Sequence, residues 1–246
     1  MKKYLLVVAN YGDERQEIFE KYYSPRNKEY CQKYGYEYIV SSGVREFRSN
    51  FSWSKFLVIS QLIKNETIKE GDKILHLDAD MTFHKLDCEY PCAKSFAYSI
   101  DNGNTHCMGN FSMTINDFSL QLIADILDEK LWNECKDTEI WKLWYEQAAW
   151  YTLCGIPRHS WVDYRIIPHR GWHQTQDLFF QNKIKYSLNT LYNNVEILGP
   201  EWNTTLIKED SDSIPEGLMT YNISKSLRKN CIIRHFAGGQ KWRVDY

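Results

Sequence analysis

The chain has 246 residues, 43% of them hydrophobic, enough to bury a sizeable core in one domain. Its formal charge is −2, so no basic excess directs it to nucleic acid or to an anionic membrane surface. None of its seven cysteines has zinc-ribbon spacing, and Cys88-x-x-x-Cys92 has no second pair, so they read as free thiols of a reducing compartment.

Residues 4–9 form a short continuous apolar run, the pattern of a strand buried on both faces. The run is too short to span a bilayer and no small-residue cleavage site follows it, so the expectation is a first strand, no membrane anchor and a cytoplasmic location. Residues 14–34 predict a helix interrupted near Pro25 and ended by Gly35. Tyr36-Glu37-Tyr38-Ile39-Val40 alternates as a second strand. Residues 52–63 predict a helix on the periodicity of Phe56, Ile59, Leu62 and Ile63, and residues 73–77 a third strand. The first eighty residues thus read β-α-β-α-β, the pattern of a parallel sheet covered by helices. Further strands are predicted at 96–100, 109–115 and 231–236, and helices at 117–131 and 138–154. The stretch 155–215 is loop-rich, with short strands at 164–167 and 195–198. No repeat or low-complexity linker divides the chain, so 1–246 reads as one domain.

Asp78-Ala79-Asp80 closes the third predicted strand. If the strand continues through both carboxylates, they share a face at its C-terminal end, where open α/β sheets place ligands. Two hard oxygen donors suit Mg²⁺ or Mn²⁺, which could bridge them to a diphosphate; a strand ending in a polar turn is the plain alternative. Lys55 opens the helix after Ser54. Such a lysine is commonly a solvated side chain, but upstream of the carboxylate strand it could meet a nucleotide's base or phosphate. At the last strand, His235 is followed by Gly238 and Gly239, whose backbone N–H groups can approach phosphate, and by Lys241, a cation for a leaving diphosphate. Imidazole is a good Mn²⁺ ligand, though a hydrogen-bonded structural histidine fits the same pattern. Nine Trp and seventeen Tyr line sugar sites as readily as they fill cores.

In this order and spacing the motifs resemble a GT-A-fold glycosyltransferase, most of all the galactosyl-, mannosyl- and xylosyltransferase family of yeast and plant Golgi enzymes. The glycogenin-like and capsular α-glycosyltransferase families are similar. Asn10-Tyr11-Gly12 resembles the family's nucleotide-binding start, Trp53-Ser54-Lys55 its Trp-x-Lys helix, and Asp78-Ala79-Asp80 its Asp-x-Asp metal motif. Tyr145-Glu146-Gln147 resembles its acceptor-side Asp/Glu-Gln pair. Gly199-Pro200-Glu201-Trp202-Asn203 resembles its Pro-x-x-Trp-Asn, and His235-Phe236-Ala237-Gly238 its His-Phe-x-Gly. Before Gly109 this chain has His106-Cys107-Met108 where the family has an Asn, a departure at the donor-sugar contact.

The resemblance implies an α/β nucleotide-sugar-binding fold of Rossmann-like GT-A type. Its mixed, mostly parallel sheet would have helices on its flanks, with a nucleotide half at about 1–100 and an acceptor half at about 101–246. It implies a Mn²⁺- or Mg²⁺-dependent transfer of a hexose or pentose from a UDP-linked sugar to a glycan or other hydroxyl, with retention. Asp78, Asp80 and His235 would hold the metal. Ala9, Asn10, Tyr11, Lys55, Ala79, Gly238 and Lys241 would join the two aspartates around the nucleotide sugar. Glu146 and Gln147 would face the anomeric carbon and acceptor, although an exposed helix face is the plainer reading of that pair. An inverting enzyme of the same fold would need Glu146 or Asp117 as base. A binding module without turnover, holding a glycan on Trp161, Trp172, Trp202 and Trp242, is the alternative of a different class.

Overall fold

The computed structural model describes residues 1–9, 13–42, 47–48, 50–101, 105–155, 178–205 and 229–236. The strand predicted at 164–167 lies outside these residues, as do Asn10, Tyr11, Gly238, Lys241, Trp161, Trp172 and Trp242.

Three parallel strands form one half of the central sheet: β1 (Lys3–Val8), β2 (Glu37–Ser41) and β3 (Lys73–Asp78). The rest consists of β5 (Phe96–Ile100), β6 (His106–Thr114) and β7 (Val195–Leu198), in the order β2-β1-β3-β6-β5-β7. Only β6 runs against its neighbours. A second sheet of three short strands, β4 (Met81–Phe83), β9 (Ile233–His235) and β8 (Thr204–Thr205), has β9 in its middle.

The continuous apolar strands are buried on both faces, as their sequence predicts. Tyr4, Leu6 and Ile74 point to a layer built by α3 (Ser54–Lys64), α4 (Asp117–Ile126) and α6 (Glu139–Cys154). Leu5, Val7, Leu75 and Leu77 point the other way, to α2 (Ser24–Tyr34) and the small sheet. There Tyr30 of α2 stacks on Phe83 with ring centroids 3.6 Å apart.

Several predicted elements are divided. The helix expected over 14–34 is α1 (Asp13–Ile18), a π-helical turn over Phe19–Tyr23, and α2, with Pro25 in the first turn of α2, where its missing N–H costs nothing. The helix expected over 117–131 is α4 followed by α5 (Glu129–Cys135). Arg48 causes this break from outside: its guanidinium donates to Ile126 O and Leu127 O at 3.0 and 2.6 Å and lies against the rings of Phe47, Trp53 and Trp132. A cation on the last carbonyls ends one helix, and the Asp128 carboxylate, accepting from Lys130 N and Leu131 N, starts the next. The loop-rich stretch carries α7 (Leu178–Gln181) and α8 (Leu188–Asn194) before β7. Among the described residues no helix is long and apolar enough to cross a membrane, and all seven cysteines are free.

Candidate active site

The two aspartates of Asp78-Ala79-Asp80 do not share a strand face. β3 ends at Asp78, and Asp80 sits in the turn that leads into β4. The chain turns there from the central sheet into the small one, so the carboxylates take different partners.

Asp78 turns inward. Its Oδ1 lies 2.7 Å from Lys55 Nζ and 3.0 Å from His76 Nε2. His76 is two residues earlier on β3, so strand alternation puts it on the same side. Lys55 is not a solvated lysine: it is 2% exposed. Its ammonium also lies 3.1 Å from Glu146 Oε1 and donates to Met108 O at 3.0 Å. Burial works against this charge, but Asp78 and Glu146 outweigh it and hold the lysine pKa above its ordinary value. Burial also pushes Asp78 up, yet Lys55 and His76 prevail and keep its carboxyl well below the usual range. Glu146 goes the other way: burial, with Asp78 nearby, outweighs Lys55 and raises its pKa. One lysine between two carboxylates thus holds one firmly ionised and leaves the other easier to protonate.

Glu146 and Gln147 are not on an exposed face. Both are buried, and Gln147 ties α6 to the sheet by accepting from Met108 N at 2.9 Å while donating to Tyr151 OH at 2.7 Å. The helix achieves this through a kink. Tyr145, immediately before the pair, has φ 49° and ψ −127° inside an otherwise helical run, a conformation that costs a side-chain-bearing residue about 1–3 kcal/mol.

Asp80 turns to the small sheet, where its carbonyl accepts from Phe236 N at 2.8 Å. β4 pairs with β9 so that Met81 lies opposite His235, and this register brings His235 Nε2 to 3.6 Å from Asp80 Oδ1. The other ring nitrogen, Nδ1, lies 3.1 Å from Asn203 Oδ1 and 3.4 Å from Thr205 Oγ1. Among the described residues no group of three or more His, Cys, Asp or Glu side chains gathers as a metal cluster. What meets is a pair, a hard carboxylate oxygen and an imidazole nitrogen, close enough for both to reach one divalent ion at about 2.1 Å. Asp78 Oδ2 lies toward β6, 3.0 Å from where a side chain at Gly109 would begin. Gly109 thus lets β6 pass close to the carboxylate.

Ala79 is buried beneath the turn and Ala9 at the end of β1. Asp117 is elsewhere. Thr114 of β6 lies opposite Lys73, the first residue of β3. Asp117, starting α4 just beyond, is therefore at the far end of the sheet from Asp78, about 16 Å away at ~3.3 Å per strand residue. It is exposed there, behind the Asn116 capping box, with the length of the strands between it and the site. The sequence left out His76, Met108 and Thr205. Only His76 carried a signal, its two-residue spacing from Asp78 on a strand.

The sequence matches no family model, and no curated protein is similar to it. Among solved structures the chain is similar to a glycosyltransferase involved in glycosylation of the major capsid of PBCV-1. The two are 11% identical over 98% of this chain and 95% of the other, with a TM-score of 0.55. The fold is GT-A. Weaker likenesses are to the galactosyltransferase LgtC, 10% identical over 95% and 87% of the two chains with a TM-score of 0.38, and to the glycosyltransferase GlyE of Streptococcus pneumoniae, 13% identical over 62% and 43% with 0.37. In the GT-A frame the C-terminal end of β3, with Asp78 and the turn at Asp80, is the edge where such sheets bind their ligands.

Proposed function

We propose that this chain is a divalent-metal-dependent glycosyltransferase that moves a hexose or pentose from a UDP-linked sugar to a glycan or other hydroxyl, with retention, as in the galactosyl-, mannosyl- and xylosyltransferase family its motifs resemble. One observation carries the reading: two residues distant in the sequence, Asp80 and His235, meet at 3.6 Å just beyond Asp78, whose partly exposed carboxylate pairs with the buried Lys55, at the ligand-binding edge of a GT-A sheet. Asp80 and His235 would hold Mn²⁺ or Mg²⁺, while Asp78, expected as a further ligand, is paired with Lys55 and His76. The ion would supply Lewis acidity to the diphosphate leaving group.

The chain's own residues do the rest. Lys55 keeps Asp78 ionised, so that its outward oxygen accepts from a ribose or sugar hydroxyl. Gln147, braced on Met108 N and Tyr151, fixes the wall of α6 behind the donor sugar. Retention is favoured because the candidate bases are compromised. Glu146 is buried against Lys55, and Asp117 is at the far end of the strands, which leaves the departing phosphate to take the acceptor's proton. Gly238 and Lys241 extend the proposed phosphate contact, and Ala9, Asn10 and Tyr11 the nucleotide contact.

Titration calorimetry of UDP with Mn²⁺ and with chelator tests the reading. Tight binding only with the ion is expected, and equal affinity in both would overturn it. Mn²⁺-dependent release of sugar to an acceptor, above hydrolysis by water, separates an enzyme from a binding module.

A further inference from the structure

We infer that Asn203 is a positioning residue that sets the direction of His235, holding its proton on Nδ1 and turning a bare Nε2 toward Asp80. The inference rests on the proposed function for its purpose, though not for its test. Asn203 is wholly buried. It ends a tight turn, Pro200–Trp202, in which Asn203 N donates to Pro200 O at 3.0 Å. The turn is anchored from the central sheet. Asn110 of β6, also wholly buried, donates to Trp202 O at 2.8 Å, while its own carbonyl accepts from Tyr90 OH and Ser99 Oγ at 2.8 and 2.6 Å. The turn that carries Asn203 is therefore anchored to the large sheet, whereas the ring its side chain faces belongs to the small one.

Asn203 Oδ1 is an acceptor only, so at 3.1 Å the His235 Nδ1 must donate to it. A neutral ring protonated at Nδ1 has a lone pair at Nε2, and that nitrogen faces a carboxylate oxygen at 3.6 Å. Two electron-rich atoms set face to face is an arrangement suited to a cation between them. The opposite tautomer would point an N–H at Asp80 and make a simple His–Asp pair. Asn203 decides between the two, because the choice at one ring nitrogen is set by the hydrogen bond at the other. Thr205 Oγ1, at 3.4 Å, is the weaker second contact.

The experiment is long-range ¹H–¹⁵N NMR of metal-free, ¹⁵N-histidine-labelled protein, about two pH units above the ordinary imidazole pKa of ~6.5. The His235 signal is assigned by its loss in His235→Gln. Wild type and Thr205→Val are expected to show the proton on Nδ1. Asn203→Ala/Thr205→Val is expected to move it to Nε2, and Asn203→Asp/Thr205→Val, which restores an acceptor, to return it. A merely structural asparagine would change stability and leave the tautomer alone. A wild-type spectrum with the proton on Nε2 overturns the inference even if the variants fail to fold, and so does a folded double variant with an unchanged spectrum. Mn²⁺ binding, followed by loss of the free-ion electron paramagnetic resonance signal, is expected to weaken about 10–100-fold in the double variant. Wild-type protein that carries Nδ1–H but binds no Mn²⁺ would remove the metal reading and leave the positioning role supported.

Discussion

His235 Nε2 lies 3.6 Å from Asp80 Oδ1 because Met81 and His235 are opposite each other in the β4–β9 pair and Phe236 N is bonded to Asp80 O. Backbone pairing, not side-chain attraction, makes this contact. His235→Ala should therefore leave the fold intact while shifting the Mn²⁺ dependence of transfer to about 10–100-fold higher metal. A circular dichroism spectrum and a metal titration of activity check both halves. An unchanged metal midpoint with reduced stability would make His235 a structural residue only.

Asp117→Ala should leave turnover as it is. The residue starts α4 at the opposite end of β6 from the site, and its carboxylate sits in a helix's first turn. Its loss should cost about 0.3–1 kcal/mol of stability through the helix dipole. Urea unfolding and a kinetic assay measured together decide it, and a large fall in kcat would mean that the acceptor reaches the far end of the sheet.

The layered α/β architecture was legible because it follows from short-range pattern. Continuous apolar runs at residues 4–9 and 73–77 gave buried parallel strands, and 195–198 emerged at its predicted bounds as β7. What the sequence concealed depends on distant partners. Near 127 only the capping Asp128 hints at a break, because the cation that ends α4 is Arg48, far away in the sequence. Asp-x-Asp suggested a shared strand face, and the turn at Asp80 became visible only with β9 in place to pair with β4. Lys55 looked like a surface lysine because its partners, Asp78 and Glu146, come from two other elements.

Tyr145→Gly should be at least as stable as wild type. Glycine ordinarily costs about 1 kcal/mol in a helix interior, but Tyr145 is not helical: its φ of 49° is a conformation glycine adopts freely. Tyr145→Ala, which keeps a Cβ, should show no such gain. Urea unfolding of the three proteins checks the order. A Tyr145→Gly protein weaker than Tyr145→Ala would mean that the backbone at this kink is relaxed and that Glu146 is turned inward by packing alone.

Lys55→Met is the most demanding test of the site, because it removes the one cation that two carboxylates share. Taking one partner from a buried ion pair typically destabilises by about 3–5 kcal/mol, since the remaining charge is left without compensation. Glu146 stays buried and Asp78 is partly exposed, so Lys55→Met should lie toward the lower end of that range, and Lys55→Met/Glu146→Gln should recover part of the loss by removing the buried charge. The signs of the pKa shifts set the pH window. Lys55 has a raised pKa in the folded protein, so its contribution is fully present below the ordinary value of 10.5 and is lost as pH rises through the raised one. Asp78 has a lowered pKa, so its contribution is present above the ordinary 3.8 and is lost as pH falls through the lowered one. The stability gap between wild type and Lys55→Met should therefore be widest across neutral pH and narrow in both acid and alkali, as read by urea unfolding at a series of pH values. A gap that stays constant into alkali would mean that Lys55 acts by filling space, and Asp78 would then have to owe its ionised state to His76.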